Sequence, residues 1–438
     1  MTGRWMKAAA LCAVASAVLL TSPSAAAEWG DGVGGGNLRL HPGVTLGAGF
    51  DSNLYYSSSR ESSSIKQVPE GFVQPGLRLE TLDPGMWDIN GDASVGWRQY
   101  LSSEETVASQ SGLSANLGAN LTWNPRGAVS LRLSETFVRT NEAPSYESAD
   151  AVNRIFNRAG VMLGFHPGGR VLETYLSYDL SLYRHNLYRE LDRYTHHIGW
   201  NGHWSFLPKT ALVASADYRR INYASPVQGG PSGEVISADG RLLNTNSNPL
   251  RLLGGLRGLI TQRVSVGLQA GYGWGFYQDP NGPDFQGLLV KAEASYQFGP
   301  VNLDSRIRAG YQRDFADSTI GNFYTYHRAL VGFQQGLVGG RLKLGLEADA
   351  QMRDYADLGV RQVQTQDNVV TIPEDLSDLL FGVKGEASME LRRGWDLGLS
   401  YRFVSNFTDN VVQVDGPGES SVRDYQRHHV VLTTTLTY

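Results

Sequence analysis

A single transmembrane antiparallel β-barrel of about 18 strands is the all-β fold class this sequence predicts. Three observations predict it. Apolar and polar residues alternate with period two along segments of roughly 10 to 14 residues. Short turns and long polar loops alternate strictly between those segments. The chain also opens on a secretory leader.

The alternation is clearest in three places. Leu113, Ala115, Leu117, Ala119, Leu121 and Trp123 oppose Ser114, Asn116, Gly118, Asn120 and Thr122. Val264, Val266, Leu268, Ala270, Tyr272, Trp274 and Phe276 oppose a polar and glycine-rich set. Leu342 to Met352 oppose Lys343, Gly345, Glu347, Asp349, Gln351 and Arg353. Successive strand side chains point to opposite faces, so each segment has one apolar and one polar side. A tilted membrane-crossing strand needs about 9 to 11 residues, whereas a globular strand averages about 5 or 6.

Eight short connections, such as Asn124–Gly127, Leu207–Lys209, Gly299–Val301 and Arg392–Gly394, are rich in Gly, Pro and Asn. Nine longer stretches lie between them, among them Ser52–Val68, Tyr223–Ser247, Asp314–Asn322, Ala356–Ser377 and Thr408–Asp424. Both termini fall on the short-turn side, the pattern of bacterial outer-membrane barrels. A soluble sandwich or propeller has no reason to gather every long loop on one edge. Val430, Leu432, Leu436 and the terminal Tyr438 share one face, resembling the aromatic C-terminal assembly signal of such barrels. The last strand should close against Val44 to Phe50, leaving no unpaired edge in hydrocarbon.

The leader has Arg4 and Lys7, an apolar run Ala8 to Leu20, a Ser22-Pro23-Ser24 break and Ala25-Ala26-Ala27 before Glu28. Its apolar run is about 13 residues, and a spanning helix needs about 20, so residues 1–27 read as a cleavable signal peptide and 28–438 as the barrel. Cys12 is the only cysteine, which leaves the mature chain without disulfides or thiolate metal sites. Without Arg4 and Lys7, the 38 basic residues become 36 against 43 acidic, a net charge of −7 that argues against nucleic acid as a partner. Aromatics near strand ends, including Trp87, Trp97, Trp123, Phe165, Trp204, Phe206 and Phe276, read as interfacial girdles, with sugar stacking as the rival.

About 18 strands leave an aqueous lumen. Its candidate lining is of mixed sign: Arg98, Arg219, Arg257, Lys291, Glu293, Arg306, Arg308, Glu347, Asp349, Arg353, Lys384, Glu386 and Arg402. Each reads first as a wall charge paired across strands. An arginine cluster such as Arg306–Arg308 could instead draw an anion. The polar side of Val264–Phe276 is a strip of Gly267, Gly271, Gly273 and Gly275, which weakens a strand unless something uses the space. The candidates are an inward-folded loop, a ligand or wall curvature, with Tyr223–Ser247 and Ala356–Ser377 the loops best placed to fold in.

No GxSxG elbow or HExxH pair occurs, and His196 and His197 on one strand must point to opposite faces. Neither catalytic nor metal-ligating residues nor a cofactor is expected. Asp51-Ser52-Asn53 reads as a turn before it reads as a calcium ligand set.

The first hairpin resembles the β-barrel porin 2 family. The matching residues are Phe50, Asp51, Asn53, Ser57–Ser59 and the run Pro75-Gly-Leu-Arg-Leu-Glu80. That resemblance implies an outer-membrane component of exopolysaccharide export. It would work with a periplasmic polysaccharide export protein, carry polysaccharide as cargo, and depend on outer-membrane lipid and the barrel assembly machinery. An uptake porin for small solutes and an outer-membrane hydrolase are the alternatives.

Overall fold

The computed structural model describes residues 30–57, 65–141, 153–167, 171–186, 189–224, 245–278, 283–300, 303–318, 322–355, 361–364, 369–372, 376–408, 411–415, 420–422 and 424–438. The leader lies outside this set.

Period-two patterning becomes a closed wall. A short β1 (Val33–Gly35) forms a hairpin with β2 (Leu38–Asp51). The wall then runs through β3 (Val68–Thr81), β4 (Trp87–Tyr100), β5 (Gly112–Trp123), β6 (Val129–Thr140), β7 (Arg154–Phe165) and β8 (Leu172–His185). It continues with β9 (Arg193–Leu207), β10 (Thr210–Tyr223), β11 (Ser247–Leu259), β12 (Val264–Tyr277), β13 (Phe285–Gln297) and β14 (Arg306–Asp317). β15 (Phe323–Leu337) and β16 (Leu342–Tyr355) follow. After them come β17 (Arg361–Gln364), β18 (Val369–Ile372), β19 (Leu376–Arg392), β20 (Trp395–Phe407), β21 (Val411–Asp415), β22 (Ser420–Val422) and the last strand, β23 (Tyr425–Thr437).

Apart from β1, the main sheet holds 18 strands, each antiparallel to its neighbours. β23 closes on β2 from Gly43 opposite Thr437 to Asp51 opposite His429. Closure pairs the backbone groups that hydrocarbon could not satisfy. Two stretches read as loops contain structure. Within 356–377 and 408–424, β17, β18, β21 and β22 form a separate four-stranded sheet, joined across the two connections by β18–β21.

The apolar face points outward. Leu46, Val73, Trp97, Leu133, Leu163, Leu176, Leu212, Leu268, Val331, Leu346, Leu399 and Leu432 are all exposed, as lipid-facing residues must be. Trp87, Phe165, Trp204, Phe206 and Tyr296 are exposed toward the short-turn rim, and Trp97, Tyr194, Tyr218, Phe276 and Tyr311 toward the other. These are two aromatic belts. Leu432, Leu436 and Tyr438 lie on this outward side of β23, exposed. Short turns are tight: Asn124 adopts φ 51°, and Gly394, at φ 76°, lies so close to the Thr437 carbonyl that a Cβ would overlap it.

Packing concentrates at two places near the long-loop rim. Leu54, Val68, Tyr100 and Val107 cluster beside the closing seam, with Val107 on the one-turn helix Glu105–Ala108. Phe285, Leu289, Phe315 and Phe323 cluster on the far wall, backed by Leu253 and Tyr277.

Candidate functional site: the lumenal wall and its constriction

Alternation fixes which charges face the lumen, and register fixes whom they meet. Arg98 reaches Glu70 at 3.1 Å, and Glu70 also bonds His429 at 3.0 Å. Arg219 lies 3.1 Å from Asp217, Arg257 3.7 Å from Glu293, and Asp349 3.1 Å from Arg328. Lys384 pairs with Glu386 at 2.7 Å. Arg353 lies over the Tyr324 ring at 4.6 Å. Lys291 stands in register between Gln269 and Gln312, and Arg402 between Lys384 and His429. The Arg306–Arg308 cluster is not an open anion site: Arg306 donates to Gln334 at 3.0 Å and Arg308 pairs with Glu347. Arg98, Arg257, Arg308 and Asp349 pair across strands, where facing opposite charges stabilise a sheet, whereas Arg219 and Lys384 pair along their own strands.

Several of these pairs span more than one strand, and glycine lies beneath them. Arg257 and Glu293 both face Gly267 in register, so their ion pair crosses β12 at a residue with no side chain. Arg308 and Glu347 bridge Gly332 in the same way. A Cβ on Gly332 would stand 2.7 Å from Arg308 Nε, and one on Gly382 2.7 Å from Asp349 Oδ1. Bulkier residues there would push the charged pairs apart.

The glycine strip of β12 divides by the same test. Gly267 lies under an ion pair, with Glu293 Cγ 3.0 Å from a Cβ placed there. At Gly271 a Cβ would overlap the Leu252 carbonyl of β11, a steric limit set by backbone against backbone. At Gly273 and Gly275 it would meet the Phe315 ring at 2.8 and 2.9 Å. The strip thus receives the upper end of β14. Of the two loops proposed to fold in, 225–244 lies outside the described residues, and the described parts of 356–377 are β17 and β18.

β14 behaves unusually. It pairs with β15 along its whole length, Arg306 to Asp317, but with β13 only up to Val290 opposite Arg313. Above that level it leaves β13 and leans over the lumenal side of β12. Phe315 stacks on Phe285 with ring centres 4.0 Å apart. Asp317 accepts hydrogen bonds from Ser247 Oγ at 2.6 Å and Tyr277 Oη at 3.0 Å. Asp314 accepts from Arg251 Nε at 2.8 Å, the Arg251 NH2 group donates to the Phe315 carbonyl at 2.6 Å, and its guanidinium lies 4.1 Å from the Phe315 ring centre. Arg251 reaches β14 over Gly273 and Gly287, the residues that face it in turn on β12 and β13. Asp314–Asn322, read from sequence as a loop, is therefore strand as far as Asp317.

Arg251 also ends a lateral charge chain. Arg158 holds Asp179 at 2.9 Å, and His197 bridges Asp179 at 3.0 Å and Asp217. Asp217 then meets Arg219 at 3.1 Å and Arg251 at 3.9 Å. The chain crosses β7, β8, β9, β10 and β11 to β14, with three arginines against three aspartates. Gln312 joins its end by bonding Asp314 at 3.0 Å and the Tyr326 hydroxyl at 3.2 Å. Of these, the sequence placed Arg219 in the lumenal lining but not Arg158, His197 or Asp314. The signal for His197 was present: His196 and His197 do diverge, and only His197 faces the lumen.

At the opposite wall the chain closes on a buried pair. Arg427 Nε donates to both Asp51 oxygens at 3.0 Å and its NH2 group also reaches Asp51. The Asn53 amide donates to Asp51 Oδ1 at 3.0 Å, which makes Asp51-Ser52-Asn53 a turn. Among the described residues no group of three or more His, Cys, Asp or Glu is arranged to hold a metal ion.

No family model matches the chain, and no curated protein matches it. Solved structures with a similar layout include Acinetobacter baumannii OccAB3 (9% identity, 91% of this chain and 99% of that one, TM-score 0.46). Pseudomonas aeruginosa OpdK with vanillate (12%, 91% and 99%, 0.44) and P. aeruginosa OccK2 (OpdF) with glucuronate (12%, 91% and 98%, 0.44) are two more. The family resemblance of the first hairpin rests on its own motif residues, and export of exopolysaccharide gains no support. An 18-strand closed barrel with an apolar outer face, aromatic belts and short turns at one rim is an outer-membrane β-barrel.

Proposed function

We propose that this chain is a passive outer-membrane channel for the uptake of small polar solutes. The observation that carries the reading is the lumenal wall: ion pairs line it laterally, and the upper end of β14 leans over the lumenal side of β12. Barrels of this strand number enclose an aqueous path. A wall whose arginines and carboxylates pair with one another gives polar solutes many hydrogen-bonding partners and little net field. Selectivity by charge sign should therefore be weak, and selection by size and polarity should come from the side narrowed by the β14 end, at Arg251, Asp314 and Tyr326. Nothing in the wall favours a polymer over a monomer, so the exported glycan suggested by the first hairpin is not adopted.

Planar-bilayer recording on the purified full chain, with swelling of proteoliposomes in neutral sugars of increasing size, tests this directly. Steady conductance and size-limited sugar entry are expected. A barrel that neither conducts nor admits small sugars overturns the uptake reading. So would a gene deletion that abolishes surface glycan while leaving small-solute permeability unchanged.

A further inference from the structure

We infer that the outward face of β8–β12 near the long-loop rim carries a binding site for a phosphomonoester lipid headgroup of the outer leaflet. The inference is independent of what crosses the lumen, because it concerns only the lipid-facing side of the wall.

The site is polar where the barrel should be apolar. Alternation places His196 and Arg220 on the outward face, among exposed Tyr194, Ile198 and Tyr218. The two face each other directly in register, Arg220 opposite His196. A charged side chain on the lipid-facing side of a wall is costly unless an anion joins it. Among the described residues no carboxylate forms an ion pair with Arg220. The Tyr178 hydroxyl lies 2.8 Å from His196 Nδ1, and Tyr194 packs edge-on against the same ring. With that hydroxyl donating to Nδ1, the imidazole proton sits on Nε2 as a second donor beside the guanidinium. A groove of about 460 Å³ opens at Arg220, walled by Tyr218, Asn248 and Phe276. Two of its walls, Tyr218 and Phe276, belong to the upper aromatic belt, where headgroups meet acyl chains.

A phosphomonoester fits this set. Its paired oxygens match the planar guanidinium fork, which binds phosphate bidentately. The aromatic walls accept the glycerol or sugar and the first methylenes of the chains. Charge complementarity and position at the headgroup level commit the occupant to a membrane lipid.

The barrel supplies two internal comparisons. Tyr401 and His428 repeat the tyrosine–histidine bond at 2.9 Å on β20 and β23, but the residue opposite His428 is Phe403. Tyr311 and His327 repeat it at 2.7 Å with Arg313 opposite, yet Asp354 shares that outward face on β16. The first lacks the arginine, and the second has Asp354 on the same outward face, two residues along β16 from Met352, the residue opposite His327. Neither should hold phosphate as the His196–Arg220 site does.

The test is native mass spectrometry of the full chain released from micelles doped with phosphatidic acid or with phosphatidylcholine. Wild type should retain phosphatidic acid and not phosphatidylcholine. Arg220→Ala and His196→Ala should each lower that retention about tenfold, the scale of one charge-assisted hydrogen bond, while His428→Ala should leave it unchanged. Arg220→Lys, which keeps the charge and loses the fork, should fall between. Heat-modifiable gel mobility establishes that each variant is folded. Equal retention by wild type and Arg220→Ala, or equal retention of the two lipids, overturns the site. Binding of inorganic phosphate alone, at an affinity matching phosphatidic acid, overturns the commitment to a lipid.

Discussion

Two seams in the wall invert what chain continuity would suggest. β23 and β2 are separated by the whole length of the chain, yet they pair from Gly43 to Asp51 and are locked at the top by the buried Arg427–Asp51 pair. β13 and β14 are joined by a short turn, yet they part above Val290 and Arg313. Sequence proximity brings strands together at the turn, but side chains decide how far the pairing runs. At the closing seam the polar groups of both strands satisfy each other. At the β13–β14 seam Asp314 and Asp317 find their partners on β11 and β12 instead, and the empty lumenal side of Gly273 and Gly275 leaves the room to do so.

The sharpest way to break the contrast is at the tight seam. Arg427→Ala leaves Asp51, 1% exposed, without its buried partner. Stranding a buried charge costs about 3–5 kcal/mol, so the variant should lose its folded gel mobility at a markedly lower temperature than wild type. An unchanged transition would mean that the pair does not clamp the closure.

At the loose seam the expected effects are smaller and should appear in conductance. Arg251→Ala removes two hydrogen bonds from the β14 end, each of the charge-assisted kind worth about 1.5–3 kcal/mol. Single-channel current should become larger and noisier while the barrel stays folded, and a quiet trace of wild-type size would show that Asp317 alone holds the strand. Gly273→Val forces a side chain against Phe315 and Leu289 at an overpacking cost of about 1–3 kcal/mol. It should shift current in the same direction as Arg251→Ala, and the double variant should add little because both act on one segment.

The mildest change lies on the ordinary wall. Arg306, exposed and bonded to Gln334, contributes at the level of a surface contact, about 0–1 kcal/mol. Arg306→Gln should leave stability unchanged and move the reversal potential in a salt gradient only slightly toward cations. A large shift would reinstate Arg306–Arg308 as an anion-drawing cluster and sharpen the contrast between wall and constriction.

Most of the fold was legible because it rests on properties local to each strand. Leu113 to Trp123 announces its apolar face without reference to any neighbour, and the run of turns and loops sets the strand number. The glycine strip on β12 was visible too, as a cost lacking a reason. Its reason was not visible, since Phe315 lies on a different strand inside a stretch whose aspartates read as loop. His197 could be assigned a face but not its two partners, which come from β8 and β10.

By itself, then, the sequence determined the barrel: its faces, its strand number, its rim of short turns and the seam at which it closes. These follow from backbone alternation and turn chemistry, which act over a few residues. Only the tertiary structure decided which lumenal charges meet, where β14 leaves its neighbour, and that the two upper connections flanking β19 and β20 share a sheet. Those outcomes depend on register between strands and on the space left above each glycine. Both are set by the closed wall as a whole and written in no single strand.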